Sequence, residues 1–388
     1  MAYARTKPQT YKYTKIEMNK LFCLVILAFL ILSCDGQNQE IKHEIPAPKV
    51  IVSNPVPCIG EEVQFYYQSD ISGNPVWDFG DGTTSTDALA KHTYITEKQY
   101  NVTLVFSDGS GGEATVHVPV EVMGKSLHTE LQRLVSNPSE IWLCAHRANT
   151  YAGKQNGIPE NSVEAIQQAI EAGANMVEID VRTTSDGHFV LMHDAAITRT
   201  TNASGNVKDK TLAQLKSYKL RAANGALTNY TIPTLEEALL AGQGKIYFNL
   251  DKVNEIGNPR KLVALVDSLH MLDRALFYVS SNKETGSQIK NNNTQSLVFP
   301  WISNSTDVSY WSAKSLTYLA QIDYQATDAA SLIATARAKQ MVTYSNSLDD
   351  AGDNAVLQNH FSSIDKMKQI QLQIIQTDYT ELIKNYLK

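Results

Sequence analysis

At 388 residues the chain is too long for one ordinary domain, and two domains with additional segments fit it better. Hydrophobic residues make up 43% of it, enough for a large core, and the net charge of −6 is spread over interspersed acidic and basic side chains. No basic stripe exists, which excludes nucleic acid as a partner; an anionic small molecule would need a local positive site, either a metal ion or a few placed Arg and Lys.

In chain order, Lys12, Lys15 and Lys20 precede an unbroken apolar run from Leu21 to Leu32. A basic segment followed by an apolar one too short for a bilayer, which takes roughly 20 residues, reads as an export signal. The run closes in Ile31-Leu32-Ser33-Cys34, which resembles the lipobox of bacterial lipoproteins. That resemblance implies a signal peptide over residues 1–34, a lipid on Cys34, and a protein held to a membrane of the bacterial cell envelope. Cys23 would leave with the signal. Cys58 and Cys144 then fall in different domains, so no disulfide framework is implied, and Cys144 in its apolar strand reads as core.

Residues 35–46 are polar, end in Pro46 with Pro48 just beyond, and read as a tether. Over residues 47–123, short alternating strands such as Val63–Tyr67, Tyr100–Phe106 and Ala114–Val122 are separated by turn residues, the pattern of an all-β sandwich. Trp77 and Phe79 alternate inward ahead of the turn Gly80-Asp81-Gly82. With His92-Thr93-Tyr94 and Tyr100 to Leu104, these residues resemble the PKD domain, a small immunoglobulin-like sandwich whose expected role is that of a spacer.

Residues 139–388 switch to strands alternating with helices, which predicts an α/β fold with a parallel sheet. Strands are expected at Ile141–Ala145, Met176–Val181, Lys245–Asp251, Ala275–Ser280, Ser296–Ile302, Tyr318–Ile322, Gln340–Tyr344 and Leu372–Thr377, the number and span of a (β/α)8 TIM barrel. Phe189–Met192 follows too closely to be a parallel crossover, and Asp186-Gly187 is a hairpin signal; this run should fold back and carry His193 over the barrel mouth. Asn161 with Glu164, and Thr234 with Glu237, have capping-box spacing at the starts of two crossover helices.

Functional groups in such barrels gather at the C-terminal ends of strands. The first strand ends in His146-Arg147. The second carries Glu178 and Asp180, two residues apart and so on one face, and the hairpin ends in His193-Asp194. Clustered carboxylates would repel an anion unless a cation sat between them, and oxygen-only ligation favours Mg²⁺ or Ca²⁺. His146-Arg147, Pro159-Glu160-Asn161-Ser162, Glu178-Ile179-Asp180-Val181, Thr184 to Gly187, His193-Asp194, Arg199-Thr200-Thr201, Ile232 to Glu236 and Thr377-Asp378-Tyr379 together resemble the glycerophosphodiester phosphodiesterases.

That resemblance implies metal-dependent hydrolysis of a glycerophosphodiester to glycerol 3-phosphate and an alcohol. It makes Glu178 and Asp180 ligands of a divalent cation, Mg²⁺ or Ca²⁺, and His146 and His193 the acid–base pair. Arg147 offers a planar fork to the phosphate, and Glu160 either touches the metal or holds the loop. Two departures stand out. Ala148 replaces the usual Gly, which should narrow the mouth slightly. The third strand reads Asn249-Leu250-Asp251-Lys252 where the family has Glu-x-Lys. Asp251 is expected as third ligand and Lys252 as phosphate partner, although Lys252 should point away unless the strand bulges. A phospholipase D-like or phosphoinositide-cleaving barrel that releases a cyclic phosphate, and a non-catalytic phosphodiester-binding lipoprotein, remain as alternatives.

Overall fold

The computed structural model describes residues 43–313 and 318–388. The export signal, Cys34 and most of the tether lie outside the described residues.

The first domain is a sandwich of two sheets. One runs His43–Glu44, Gly112–Val122, Lys98–Ser107, Asn74–Asp78, Thr84–Ser85 in spatial order, and the other runs Lys49–Val52, Glu62–Gln68, Leu89–Thr93. Its first strand begins at His43, inside the stretch read as tether, and pairs with Gly112 and Glu113. Trp77 and Phe79 are buried as their alternation requires, with ring centroids 5.9 and 5.3 Å from Phe65. Gly80 is in the left-handed region, and a Cβ there would lie 3.0 Å from the Asn101 carbonyl oxygen, so the turn needs glycine.

The second domain is a parallel barrel of β1 (Trp142–Ala145), β2 (Met176–Thr183), β3 (Tyr247–Asp251), β4 (Ala275–Ser280), β5 (Leu297–Pro300), β6 (Leu319–Gln321), β7 (Val342–Asn346) and β8 (Ile374–Thr377). Hydrogen-bonded neighbours run β5-β4-β3-β2-β1-β8-β7-β6. A bridge from Trp301 to Gln321, with the Ile302 N–H donating to the Gln321 carbonyl at 2.8 Å, closes the ring. Phe189–Leu191 pairs antiparallel with β2, as the short connection demanded.

Alternation splits the apolar side chains into two cores. Trp142, Cys144, Met176, Leu276, Phe299, Val342 and Ile374 fill the barrel, and the helix Leu127–Ser136 presses Leu127, Leu131 and Leu134 against them. Leu143, Val177, Ile179, Phe248 and Leu250 face the surrounding helices. Cys144 is fully buried and burial raises its thiol pKa, consistent with a core role.

Helix caps differ in one place. Ser162, not Asn161, caps Val163–Ala172, its Oγ accepting the Ala165 N–H at 3.0 Å, and left-handed Gly173 ends the helix. The Thr234–Glu237 capping box forms as read, ahead of Leu235–Gly242.

Candidate active site

β2 and β3 pair in a register that sets Glu178 opposite Asn249 and Asp180 opposite Asp251. All four share a face, and oxygens of Glu178, Asp180 and Asp251 lie within 4.8 Å of one another. Burial pushes the Glu178 carboxyl well above its ordinary value, and the charges of Asp180 and Asp251 push the same way. Burial also raises Asp251, with Lys252 opposing and Asp180 adding to the effect. Glu178 Oε1 and Asp180 Oδ1 are buried without a hydrogen-bond partner. Three convergent carboxylates with unused oxygens suit a divalent ion, and all-oxygen ligation suits Mg²⁺ or Ca²⁺.

Lys252 reaches this cluster without a bulge. The β2–β3 register is continuous to Asp251, and Lys252 follows in the left-handed conformation (φ 64°, ψ 12°). That turn breaks the strand alternation and brings Nζ to 3.6 Å from Asp251 Oδ2 and 3.9 Å from Asp180 Oδ1. Asn249 stays buried, its amide 3.5 Å from the Tyr344 hydroxyl and its Oδ1 unpartnered.

His146 ends β1 with Nδ1 2.9 Å from Asp378 Oδ1, while Lys154 Nζ lies 2.7 Å from Asp378 Oδ2. Burial opposes ionisation of Asp378, but His146 and Lys154 outweigh it and take the carboxyl down to about 2. An ionised Asp378 accepts the Nδ1 proton and leaves Nε2 on the cluster side, 4.0 Å from Glu178 Oε2. His193 is built in the same way: Nδ1 is 2.7 Å from Asp194 Oδ1. Arg199 donates to Asp194 at 2.6 Å and holds that carboxyl well below its usual range. The hairpin is fixed by Arg182, which donates to the Met192 and His193 carbonyls.

Arg147 donates its backbone N–H to Glu178 Oε2 at 2.8 Å, and its Nε is buried and unpartnered 4.0 Å from Asp180 Oδ2. Glu160 does not join the carboxylate cluster. Both its oxygens are taken by Arg147 at 3.2 Å and by Arg199 at 2.6 and 3.1 Å, so it buckles the first loop to the hairpin. Burial opposes its ionisation, but Arg199 and Arg147 keep its pKa lowered.

Two expectations are corrected. Asn161 grips a cluster residue: Nδ2 donates to Asp180 Oδ2 at 2.8 Å, and Oδ1 accepts the Asp180 N–H at 3.0 Å. Its backbone is left-handed, which removes it from the cap position. Ala148 is also left-handed, and its methyl is buried in the outer core rather than exposed at the mouth. Arg199, Lys154 and Asp378 were given no role from sequence. Arg199 and Asp378 lie within Arg199-Thr200-Thr201 and Thr377-Asp378-Tyr379; Lys154 carries no signal, being an ordinary lysine in a short helix.

Beside the cluster lies a cavity of about 310 Å³. The strand ends Tyr278, Ser280, Gln321, Asn346 and Gln376 line its far wall, and Asn346 Oδ1, like Asn249 Oδ1, is buried with no donor.

Fold and mouth together define a parallel α/β barrel with a buried carboxylate cluster flanked by two histidine–aspartate pairs. Residues 146–382 match the model of the glycerophosphoryl diester phosphodiesterase family, and residues 44–122 match the PKD domain. A glycerophosphodiester phosphodiesterase of Caldanaerobacter subterraneus is 34% identical over 138 residues, covering 34% of this chain and 55% of that protein. The mouse glycerophosphodiester phosphodiesterase 1 is 44% identical over 96 residues, 24% of this chain and 29% of that one. The chain thus spans about half or less of these relatives' lengths. Among solved structures, a glycerophosphoryl diester phosphodiesterase from Parabacteroides distasonis superposes with a TM-score of 0.57 at 22% identity, over 66% of this chain and 90% of that one. One from Agrobacterium tumefaciens gives 0.51 at 19% identity, over 63% and 99%. The chain belongs to the glycerophosphoryl diester phosphodiesterase family.

Proposed function

We propose that this protein hydrolyses a glycerophosphodiester to glycerol 3-phosphate and an alcohol at the barrel mouth. The observation that carries this reading is the trio of buried carboxylates with unused oxygens, Glu178, Asp180 and Asp251, beside two histidines tethered through Nδ1. The three carboxylates would hold Mg²⁺ or Ca²⁺, which supplies charge compensation for the phosphate oxygens during attack. The unpartnered Nε of Arg147 and the Lys252 ammonium take the remaining phosphate oxygens. His146 and His193 each keep Nε2 for proton transfer: one accepts a proton from the attacking water, and the other protonates the departing alkoxide. The amide wall of the cavity suits hydroxyl groups, because the orphaned Asn249 and Asn346 oxygens need donors and the wall carries little charge of its own.

Turnover of glycerophosphocholine, -ethanolamine and -inositol, followed by phosphorus NMR with and without chelator, tests this. Glycerol 3-phosphate that appears only with divalent cation is expected. A cyclic phosphate would replace water with an internal hydroxyl as nucleophile, and no product at all would point to a binding protein. We further propose that Cys34 carries a lipid that anchors the protein in the cell envelope, supported by the basic segment, short apolar run and Ser33-Cys34 junction. Cys34→Ala should shift the protein from membrane to soluble fraction, and a lipid-free Cys34 by mass spectrometry would refute the anchor. Among the described residues, no helix is long and apolar enough to cross a membrane.

A further inference from the structure

One buried carboxylate is used by none of these steps. Asp353 opens the short helix Asp353–Leu357 and is 5% exposed. Its Oδ1 accepts the hydroxyls of Ser347 and Thr377, each at 2.6 Å, and its Oδ2 accepts the Asp378 backbone N–H at 2.7 Å. Ser347 follows β7, and Thr377 ends β8 with Asp378 next beyond it, so a single carboxyl group clasps two neighbouring strand ends. The approach is close: the Asp353 N–H donates to the Ser347 carbonyl at 2.6 Å, and a Cβ on Gly352 would lie 2.1 Å from that same oxygen. The sequence therefore reserves a glycine there to let Asp353 in.

Asp378 is the residue that the clasp sets in direction, and Asp378 fixes the Nδ1 side of His146. From these contacts we infer that Asp353 is a positioning residue for the reaction, acting through Asp378 to keep the working nitrogen of His146 free on the cation side. The inference rests on the function proposed above, in which His146 moves a proton. An imidazole presents an unprotonated Nε2 only while its proton is held on Nδ1, and the partner of Nδ1 decides that. In Asp353→Asn, the amide oxygen can still accept the two hydroxyls. Its NH₂ group would then face the Asp378 N–H, donor against donor, and push the β8 end away from His146.

The test is Asp353→Asn in the full chain, read in two ways. The first is kcat and KM with glycerophosphocholine: kcat should fall about 10- to 100-fold, with KM within about threefold. The second is the His146 tautomer, from long-range ¹⁵N–¹H spectra of the metal-free protein at pH 8. Wild type should carry its proton on Nδ1, and the variant should shift population to Nε2. Should Asp353→Asn fail to fold, Thr377→Val, which loosens the same clasp at one hydroxyl, should shift the tautomer in the same direction. An unchanged tautomer in the folded variant, or a kcat within threefold of wild type, overturns the inference. If wild type itself turns over no phosphodiester, the proposed reaction fails instead, and the spectra still decide whether Asp353 orients His146.

Discussion

At the scale of single residues, the mouth sorts charge by position. Asp251 stands opposite Asp180 and adds the third negative charge, while Asn249 stands opposite Glu178 and adds none. Two carboxylates from one strand hold a hard cation weakly, so Asp251→Ala should lower Mg²⁺ or Ca²⁺ affinity more than tenfold in isothermal titration, with turnover partly rescued at high cation. Asn249→Ala should change affinity by less than about threefold, and Lys252→Ala should raise KM while leaving cation affinity nearly intact. Equal cation affinity in Asp251→Ala and wild type would remove Asp251 from the site. A pH signature belongs to Asp353, whose carboxyl is raised from 3.8 to about 6, chiefly by burial against the opposing hydrogen bonds from Ser347 and Thr377. A raised acid favours folding most fully below its unfolded value and loses that contribution as pH rises through the folded one. Between pH 4 and pH 6 this group alone should therefore withdraw about 2 kcal/mol of stability. Asp353→Asn should flatten the melting temperature over that window, and an unchanged slope in a thermal scan would contradict the assignment.

At the scale of elements, strands were legible and termini were not. Apolar runs of strand length located all eight barrel strands, because a strand buried on both faces cannot hide its composition. The hairpin at Phe189–Leu191 follows from the short connection together with the Asp186-Gly187 turn signal. The cap at residue 162 was misplaced by one, since Asn161 and Ser162 are both good capping residues and only the tertiary contact to Asp180 separates them. Lys252 was legible as a residue of interest but not as a reachable one, because its left-handed backbone has no signal in an alternating pattern. The pairing of His146 with Asp378 spans 232 positions and becomes local only when β8 closes beside β1. The neighbours at 161 and 162 give a clean comparison. Ser162→Ala should cost about 1 kcal/mol in denaturant melts, with cation affinity unchanged. Asn161→Ala should instead weaken cation binding, since Asp180 loses both its amide contacts. The hairpin is tested by His193→Ala, expected to lower kcat by about 10²–10⁴. Activity within a few-fold of wild type would show that the hairpin only covers the mouth.

At the scale of the whole molecule, the sandwich packs at the barrel end where the strands begin, opposite the mouth. Its junction with the barrel is buried. Arg274, only 3% exposed, donates to the Gly124 carbonyl at 2.8 Å and lies 3.6 Å from Cys58 Sγ. Its guanidinium sits 5.5 Å from the Tyr247 ring, and the Tyr247 hydroxyl donates to the Lys125 carbonyl at 2.7 Å. The next segment is the helix Leu127–Ser136, whose apolar face completes the barrel core. Heat that loosens the sandwich junction therefore also pulls at the barrel floor, and the described chain from His43 on should unfold in one transition. Arg274→Ala leaves the Gly124 carbonyl without its donor and opens a gap against Tyr247, for a loss of about 2–4 kcal/mol. Because the sandwich would then be held by fewer contacts, calorimetry of Arg274→Ala should resolve two transitions, with the sandwich melting first. The active groups lie at the far end of the strands, so kcat below the first transition should stay within about twofold of wild type. A single transition at a merely lower temperature would mean that the helix alone couples the domains, and Leu131→Ala should then be the substitution that separates them.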